Sequence, residues 1–104
     1  MAKAKVLIDD GFDLNSKYRV EISVLQFEKT ERFPSGLKVR IALINTVADK
    51  IRFLIDNHEP YGFHMHTKLP EDKSVRKQLF IKDYQEAIGI FWQEVEGIIQ
   101  SERY

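Results

Sequence analysis

Three segments of the chain alternate between apolar and polar residues, and this pattern restricts the fold more than any other feature. They are residues 17–27, 37–45 and 50–56. Successive side chains of a strand point to opposite faces of a sheet, so each segment is predicted to be a half-buried strand. The short connections between the segments predict an antiparallel meander. The apolar positions predicted to face inward are Tyr18, Val20, Ile22, Val24, Val39, Ile41, Leu43, Ile51, Phe53 and Ile55.

Shorter segments extend the predicted sheet to between three and five strands. Residues 6–8 are apolar and predict a small first strand, which the turn signal Asp10-Gly11 would end. Residues 63–66 can form a further strand if they are extended and return beside the strand 50–56. The basic run Lys73, Arg76 and Lys77 is predicted to be a solvated loop, with contact to phosphate as the alternative.

The last segment of the chain has helical spacing. Asp83 is a predicted N-cap, and Glu86 follows it at the spacing of a capping box. We expect this helix to cover the apolar face of the sheet, which makes residues 1–104 a single two-layered α+β domain. The apolar residues that recur at helical spacing are Tyr84, Ala87, Ile88, Phe91, Val95, Ile98 and Ile99.

Composition excludes several classes of function. The chain of 104 residues has no cysteine, so disulfides, zinc–cysteine sites and thiol catalysis are excluded together. It has no apolar run long enough to span a membrane and no apolar region typical of a signal peptide, which predicts a cytoplasmic protein without a membrane partner. Sixteen basic and sixteen acidic residues give a net charge of zero, which argues against binding nucleic acid by bulk charge.

The arrangement of the charges matters more than their sum. The polar positions of the three strands hold six cations, whereas Glu21 and Asp56 are the acidic residues there. One interpretation is cross-strand ion pairing, with Arg40 near Asp56 and Glu21 near Arg52 or Lys50. The other is a sheet face that binds an anionic ligand. The six cations are Lys17, Arg19, Lys38, Arg40, Lys50 and Arg52.

All three histidines of the chain, His58, His64 and His66, fall within nine residues. If 63–66 is a strand, His64 and His66 share one face and can meet Asp56. Two histidines and a cation suit RNA cleavage without a metal. One histidine would take the proton of the 2′-hydroxyl group and the other would protonate the leaving oxygen, while the cation stabilises charge on phosphorus.

In this interpretation His64 and His66 are catalytic, Arg52 holds the phosphate with Arg40 as an alternative, and Asp56 orients a histidine. Two other interpretations stay open. Asp56 and the three histidines form a ligand set for zinc, nickel or iron. Alternatively the histidines are polar surface residues, and His58 belongs to the turn that Glu59, Pro60, Tyr61 and Gly62 complete.

The order of these motifs resembles the TumE-type family of small toxins from prokaryotic toxin–antitoxin pairs. The resemblance is carried by residues 52–57 (Arg-Phe-Leu-Ile-Asp-Asn), by His64-Met65-His66 and by Phe91 to Val95 in the final helix. It implies growth inhibition through RNA cleavage and an antitoxin partner with a helix-turn-helix. It also implies Asp56, Asn57, His64 and His66 as site residues.

The sequence therefore predicts a toxin that cleaves RNA with no cofactor, or with a divalent metal in the alternative. The catalytic residues are His64, His66, Asp56 and Arg52, and the substrate-binding residues are Arg40, Lys38, Lys50 and Asn57. The rival hypothesis is a non-catalytic module that binds a DNA-binding protein. A homodimer through the uncovered sheet face is a further expectation.

Overall fold

The computed structural model describes residues 4–31, 33–57, 62–69 and 71–102, which form one antiparallel sheet and one helix. Six strands pair with their neighbours in chain order, so the sheet is a meander with β1 and β6 at its edges. The α+β class and the C-terminal helix are confirmed. The elements are β1 (Lys5–Asp13), β2 (Tyr18–Gln26), β3 (Leu37–Asn45), β4 (Lys50–Asp56), β5 (His64–His66), β6 (Arg76–Gln78) and α1 (Tyr84–Ser101).

The first strand is longer than the sequence indicates. Asp10 and Gly11 pair with Ile22 and Glu21 of β2, so the predicted turn at this dipeptide is wrong. The nine-residue β2 offers hydrogen bonds along its whole edge, and these outweigh a local turn preference. A Cβ atom at Gly11 would lie 2.5 Å from the guanidinium of Arg19, which is the end of a flexible side chain and can move away.

The sixth strand was not predicted. Arg76 to Gln78 pair with β5, whereas the sequence indicated a solvated loop for this basic run. All three residues are exposed, so no alternation between apolar and polar side chains marks the strand. Charged side chains on a short edge strand are a common protection against pairing with other chains.

The helix packs on one face of the sheet, across β3 and β4. Its buried residues Ala87, Phe91 and Val95 are spaced by four and form one stripe. The rings of Phe91 and Phe53 stack with 5.8 Å between their centroids. The predicted N-cap is confirmed, since the Asp83 carboxylate accepts from the Glu86 backbone N–H at 2.9 Å. In the described part of the chain no helix has the length and apolar character needed to cross a membrane.

A β-bulge in the pairing of β3 with β4 interrupts the predicted alternation. Leu43 lies opposite Phe53, but Ile44 lies opposite Ile51, so β4 holds one extra residue at this point. Ile51 was predicted to face the core under the helix. It lies instead beside Leu54 in the wall of a cavity on the other face of the sheet.

Asn57, at the end of β4, holds the site-bearing strand against β3. Its carboxamide oxygen accepts from the Val39 N–H at 2.9 Å, and its Nδ2 donates to the Leu37 carbonyl at 2.9 Å. The side chain thereby extends the β3–β4 ladder by one residue, and it is buried. These bonds give Asn57 a structural role, whereas the sequence suggested substrate binding.

Replacing Asn57 by alanine is expected to destabilise the fold. Asn57→Ala removes both bonds to β3, and each is worth about 1 kcal/mol, so the free energy of unfolding should fall by about 2 kcal/mol. Urea denaturation followed by circular dichroism measures this. The exposed Gln93→Ala serves as the control and should shift the value by less than about 0.5 kcal/mol. Equal stability of the two variants would contradict the structural role.

Candidate metal centre

One cross-strand row brings the predicted site residues together on the face opposite the helix. Arg40 of β3 lies opposite Asp56 of β4, and Asp56 lies opposite His64 of β5. Directly opposed residues of antiparallel strands point to the same face, and His66 follows His64 by two residues on that face. The predicted meeting of Asp56 with both histidines is therefore confirmed. Met65 points the other way, into the core, as expected.

His64 is almost fully buried, with 1% of its surface exposed, and both of its ring nitrogens lie against acceptors. Nδ1 lies 2.8 Å from the Gly62 carbonyl oxygen. A carbonyl oxygen only accepts, so Nδ1 carries the hydrogen and donates it. Nε2 lies 2.8 Å from Oδ1 of Asp56. A single proton shared between Nε2 and Oδ1 satisfies both atoms.

The backbone conformation of Gly62 allows its carbonyl oxygen to contact Nδ1 of His64. Its φ of 59° lies in the left-handed region, which glycine adopts without a steric penalty. The chain turns there immediately before β5, and the Gly62 carbonyl comes to lie against the His64 ring. A side chain with a Cβ atom at this position would be strained.

A backbone carbonyl also orients the ring of His66. Its Nδ1 donates to the Lys73 carbonyl oxygen at 3.1 Å, so the segment between β5 and β6 fixes the ring. The centroids of the His64 and His66 rings are 5.0 Å apart. With both Nδ1 atoms bound to backbone carbonyls, Nε2 is the nitrogen that each ring has left for a ligand.

The three side chains form a set of metal ligands. One ligand atom from each of Asp56, His64 and His66 lies within 4.8 Å of the ligand atoms of the other two. Ligands of tetrahedral zinc lie about 3.3 Å apart, given metal–ligand distances of about 2.0 Å. No separation therefore needs to shorten by more than about 1.5 Å, and the 2.8 Å between His64 Nε2 and Asp56 Oδ1 needs to widen by about 0.5 Å. The Asp56 side chain is 20% exposed, whereas the His64 side chain is 1% exposed.

A cavity of about 590 Å³ opens on the same face, and His66 is part of its wall. Leu54, which pairs with His66, forms its floor together with Ile51 and Leu69. Three cations also line the cavity. They are Lys50, Lys73 and Arg76.

The remaining predicted site residues are more scattered. Arg40 lies in the row with Asp56, and Lys38 precedes it by two residues on the same strand. Arg52 is absent from the cavity wall, and its charge acts on Glu102 at the C-terminal end of α1. There, a hydrogen bond from Tyr18 is the main cause that lowers the pKa of the Glu102 carboxyl. His58 lies outside the described residues.

Sequence reasoning missed the two groups that orient the rings, because both are backbone carbonyls. Gly62 was interpreted only as a turn residue, and Lys73 only as part of a basic run.

The sequence also assigned the anion-binding role to the strands β3 and β4, whereas two of the three cavity cations, Lys73 and Arg76, follow the histidines along the chain. That basic run was the available signal, and contact with phosphate was its less favoured interpretation.

The carbonyl contacts predict the tautomer of both rings. In the protein without metal, His64 and His66 should each carry a hydrogen on Nδ1, because each Nδ1 faces a carbonyl oxygen. Long-range ¹H–¹⁵N correlation spectra distinguish the two ring nitrogens, and His58→Gln simplifies the assignment. Spectra with Nδ1 lacking a hydrogen in either ring would contradict the arrangement.

Comparison of the chain with protein-family models, with curated proteins and with solved structures gave no match.

Proposed function

We propose that this protein binds one divalent transition-metal ion through Asp56, His64 and His66, and that this ion is the centre of a hydrolytic site. The observation that carries the proposal is the pair of carbonyl bonds to Nδ1. Metal-binding histidines usually donate the other ring N–H to a carbonyl or a carboxylate, which fixes the ring and its tautomer. Both histidines have this partner.

The ligand set suits zinc, nickel or iron. Two imidazoles and one carboxylate are the donors of many sites for these ions. Three protein ligands leave at least one coordination position for water or substrate, as in catalytic rather than structural zinc sites. His66 belongs both to the ligand set and to the cavity wall, so the open position would face the cavity.

The metal would supply a nucleophile at neutral pH by polarising a bound water molecule. The oxygen of that water would attack the substrate, and the leaving group would depart with a proton that originates from the water. Cations around the cavity favour an anionic substrate and stabilise negative charge that builds in the reaction. In this role His64 and His66 hold the ion and transfer no proton themselves.

Metal titration tests the proposal directly. We expect one ion per chain by elemental analysis after dialysis and saturable binding of zinc or nickel by calorimetry. Asp56→Asn should weaken binding by about 100-fold, because it removes the charged ligand while keeping the shape of the side chain. An ion present at 100 times its dissociation constant should stabilise the fold by about 2.7 kcal/mol.

The control for this measurement is Asp49→Asn, the same chemical change at an exposed turn position remote from the histidines. Asp49→Asn should bind metal like the unchanged protein. His58→Gln shows whether the fourth ligand suggested by the sequence contributes. Binding of less than about a tenth of an equivalent, or equal affinities of the two aspartate variants, would refute the centre.

The second candidate is the metal-independent RNA cleavage expected from the sequence, with an antitoxin partner and a cytoplasmic location. What favours it is that His66 lines a cavity with Lys50, Lys73 and Arg76. The burial of His64 argues against it, because two histidines must reach the RNA to exchange protons.

Chelation separates the two candidates. RNA cleavage that continues in excess EDTA and disappears in His66→Ala would support the second candidate. If no ion binds at these residues, Asp56→Asn should have the same affinity for metal as the unchanged protein. Cleavage that stops in EDTA and returns with zinc or nickel would support the metal centre.

A further inference from the structure

The cavity beside His66 combines an apolar floor with a cationic rim. Leu69 is buried, and it lines the cavity together with Leu54 and Ile51. Small-ligand sites are commonly about 300–1,000 Å³ in volume and apolar, with a few charged groups that orient the ligand. At about 590 Å³ this cavity lies within that range.

The cations are placed by the same elements that place the histidine. Arg76 lies directly opposite His66 in the pairing of β5 with β6. The Lys73 backbone carbonyl accepts from the His66 ring, so the Lys73 side chain starts beside it. Lys50 belongs to the cavity wall from the β4 side, next to the bulge. Arg76 and Lys73 therefore bring positive charge to the His66 end of the cavity, whereas Lys50 precedes Leu54, the residue opposite His66, by four residues along β4.

We infer that this cavity binds a small phosphate monoester whose body contains an aromatic ring system. The phosphate would face His66, Lys73 and Arg76, because arginine and lysine pair with its oxygens and these two cations offset its two charges. The ring system would lie on Leu54, Ile51 and Leu69. The inference deepens the proposed function by naming its substrate class. Its hydrolytic step rests on that function, whereas binding of the monoester in the cavity does not.

The reaction implied is hydrolysis. The oxygen of a water molecule bonds to phosphorus, and the bond from phosphorus to the ester oxygen breaks. The released alcohol takes one proton of that water, and inorganic phosphate is the second product. No oxidant or reductant is needed. Aryl phosphates and nucleoside monophosphates share this chemistry, since each joins a phosphate monoester to a ring system.

The test is calorimetric titration of the full chain with phenyl phosphate and with adenosine 5′-monophosphate, first in EDTA and then with zinc. Inorganic phosphate is the matched probe for the phosphate group alone, and adenosine is the matched probe for the ring-bearing part alone. We expect at least one monoester to bind about 10-fold more tightly than either probe in EDTA, and more tightly again with zinc. The monoester that binds more tightly then shows whether the cavity prefers an aryl phosphate or a nucleoside monophosphate.

Variants connect the binding to the cavity. Arg76→Gln and Lys73→Gln should each weaken binding about 5-fold to 10-fold. Lys77→Gln is the matched control, because Lys77 lies opposite Met65 and so projects from the other face of the sheet. It should bind the monoester like the unchanged protein. Methyl NMR signals of Leu54 and Leu69 should shift on binding, whereas that of Val47 in the exposed β3–β4 turn should not.

The outcomes separate this inference from the metal centre. Monoester binding in EDTA by a protein that takes up no metal would support the cavity and refute the centre. Metal uptake without monoester binding would refute the inference alone. Binding of single-stranded RNA without any monoester would refute it as well, as would an effect of Lys77→Gln equal to that of Arg76→Gln.

Discussion

The site depends on the antiparallel register between β4 and β5. This pairing places Asp56 directly opposite His64 and puts His66 on the same face two residues on. A shift of one residue would turn both histidines into the core and bring Met65 to the carboxylate. The register is supported on the other side of β4, where the side chain of Asn57 bonds two backbone groups of β3. The pairing of these strands therefore determines the geometry of the site.

The two faces of the sheet have different roles. The helix covers one face and buries the apolar stripe that includes Phe53 and Phe91, which supplies the hydrophobic stabilisation of the domain. The other face carries the polar row, and it is covered near the histidines by the segment between β5 and β6. Leu69 and the Lys73 carbonyl belong to this cover. This segment contacts His66 and lines the cavity beside it.

Period-two alternation was enough to predict β2, β3 and β4 and the face that most of their residues occupy, because one face of each strand is buried. Capping chemistry was enough to predict the start of α1 at Asp83. The alternation fails at Ile51, since a bulge is set by pairing with β3 and has no mark in the sequence of β4 alone. The strand β6 was missed because its residues are all exposed. The convergence of Asp56 with the histidines was predictable, and the backbone carbonyls that orient the rings were not.

The protonation geometry bears on which chemistry these histidines suit. A general acid or base must reach its substrate with a free lone pair or an available proton. His64 is buried, its Nδ1–H is committed to Gly62, and its Nε2 lies against Asp56. Proton exchange with a large substrate would require breaking these contacts in each turnover. An ion at Nε2 would instead replace the shared proton and leave the carbonyl bond intact, so the same burial that hinders acid–base catalysis favours a fixed ligand.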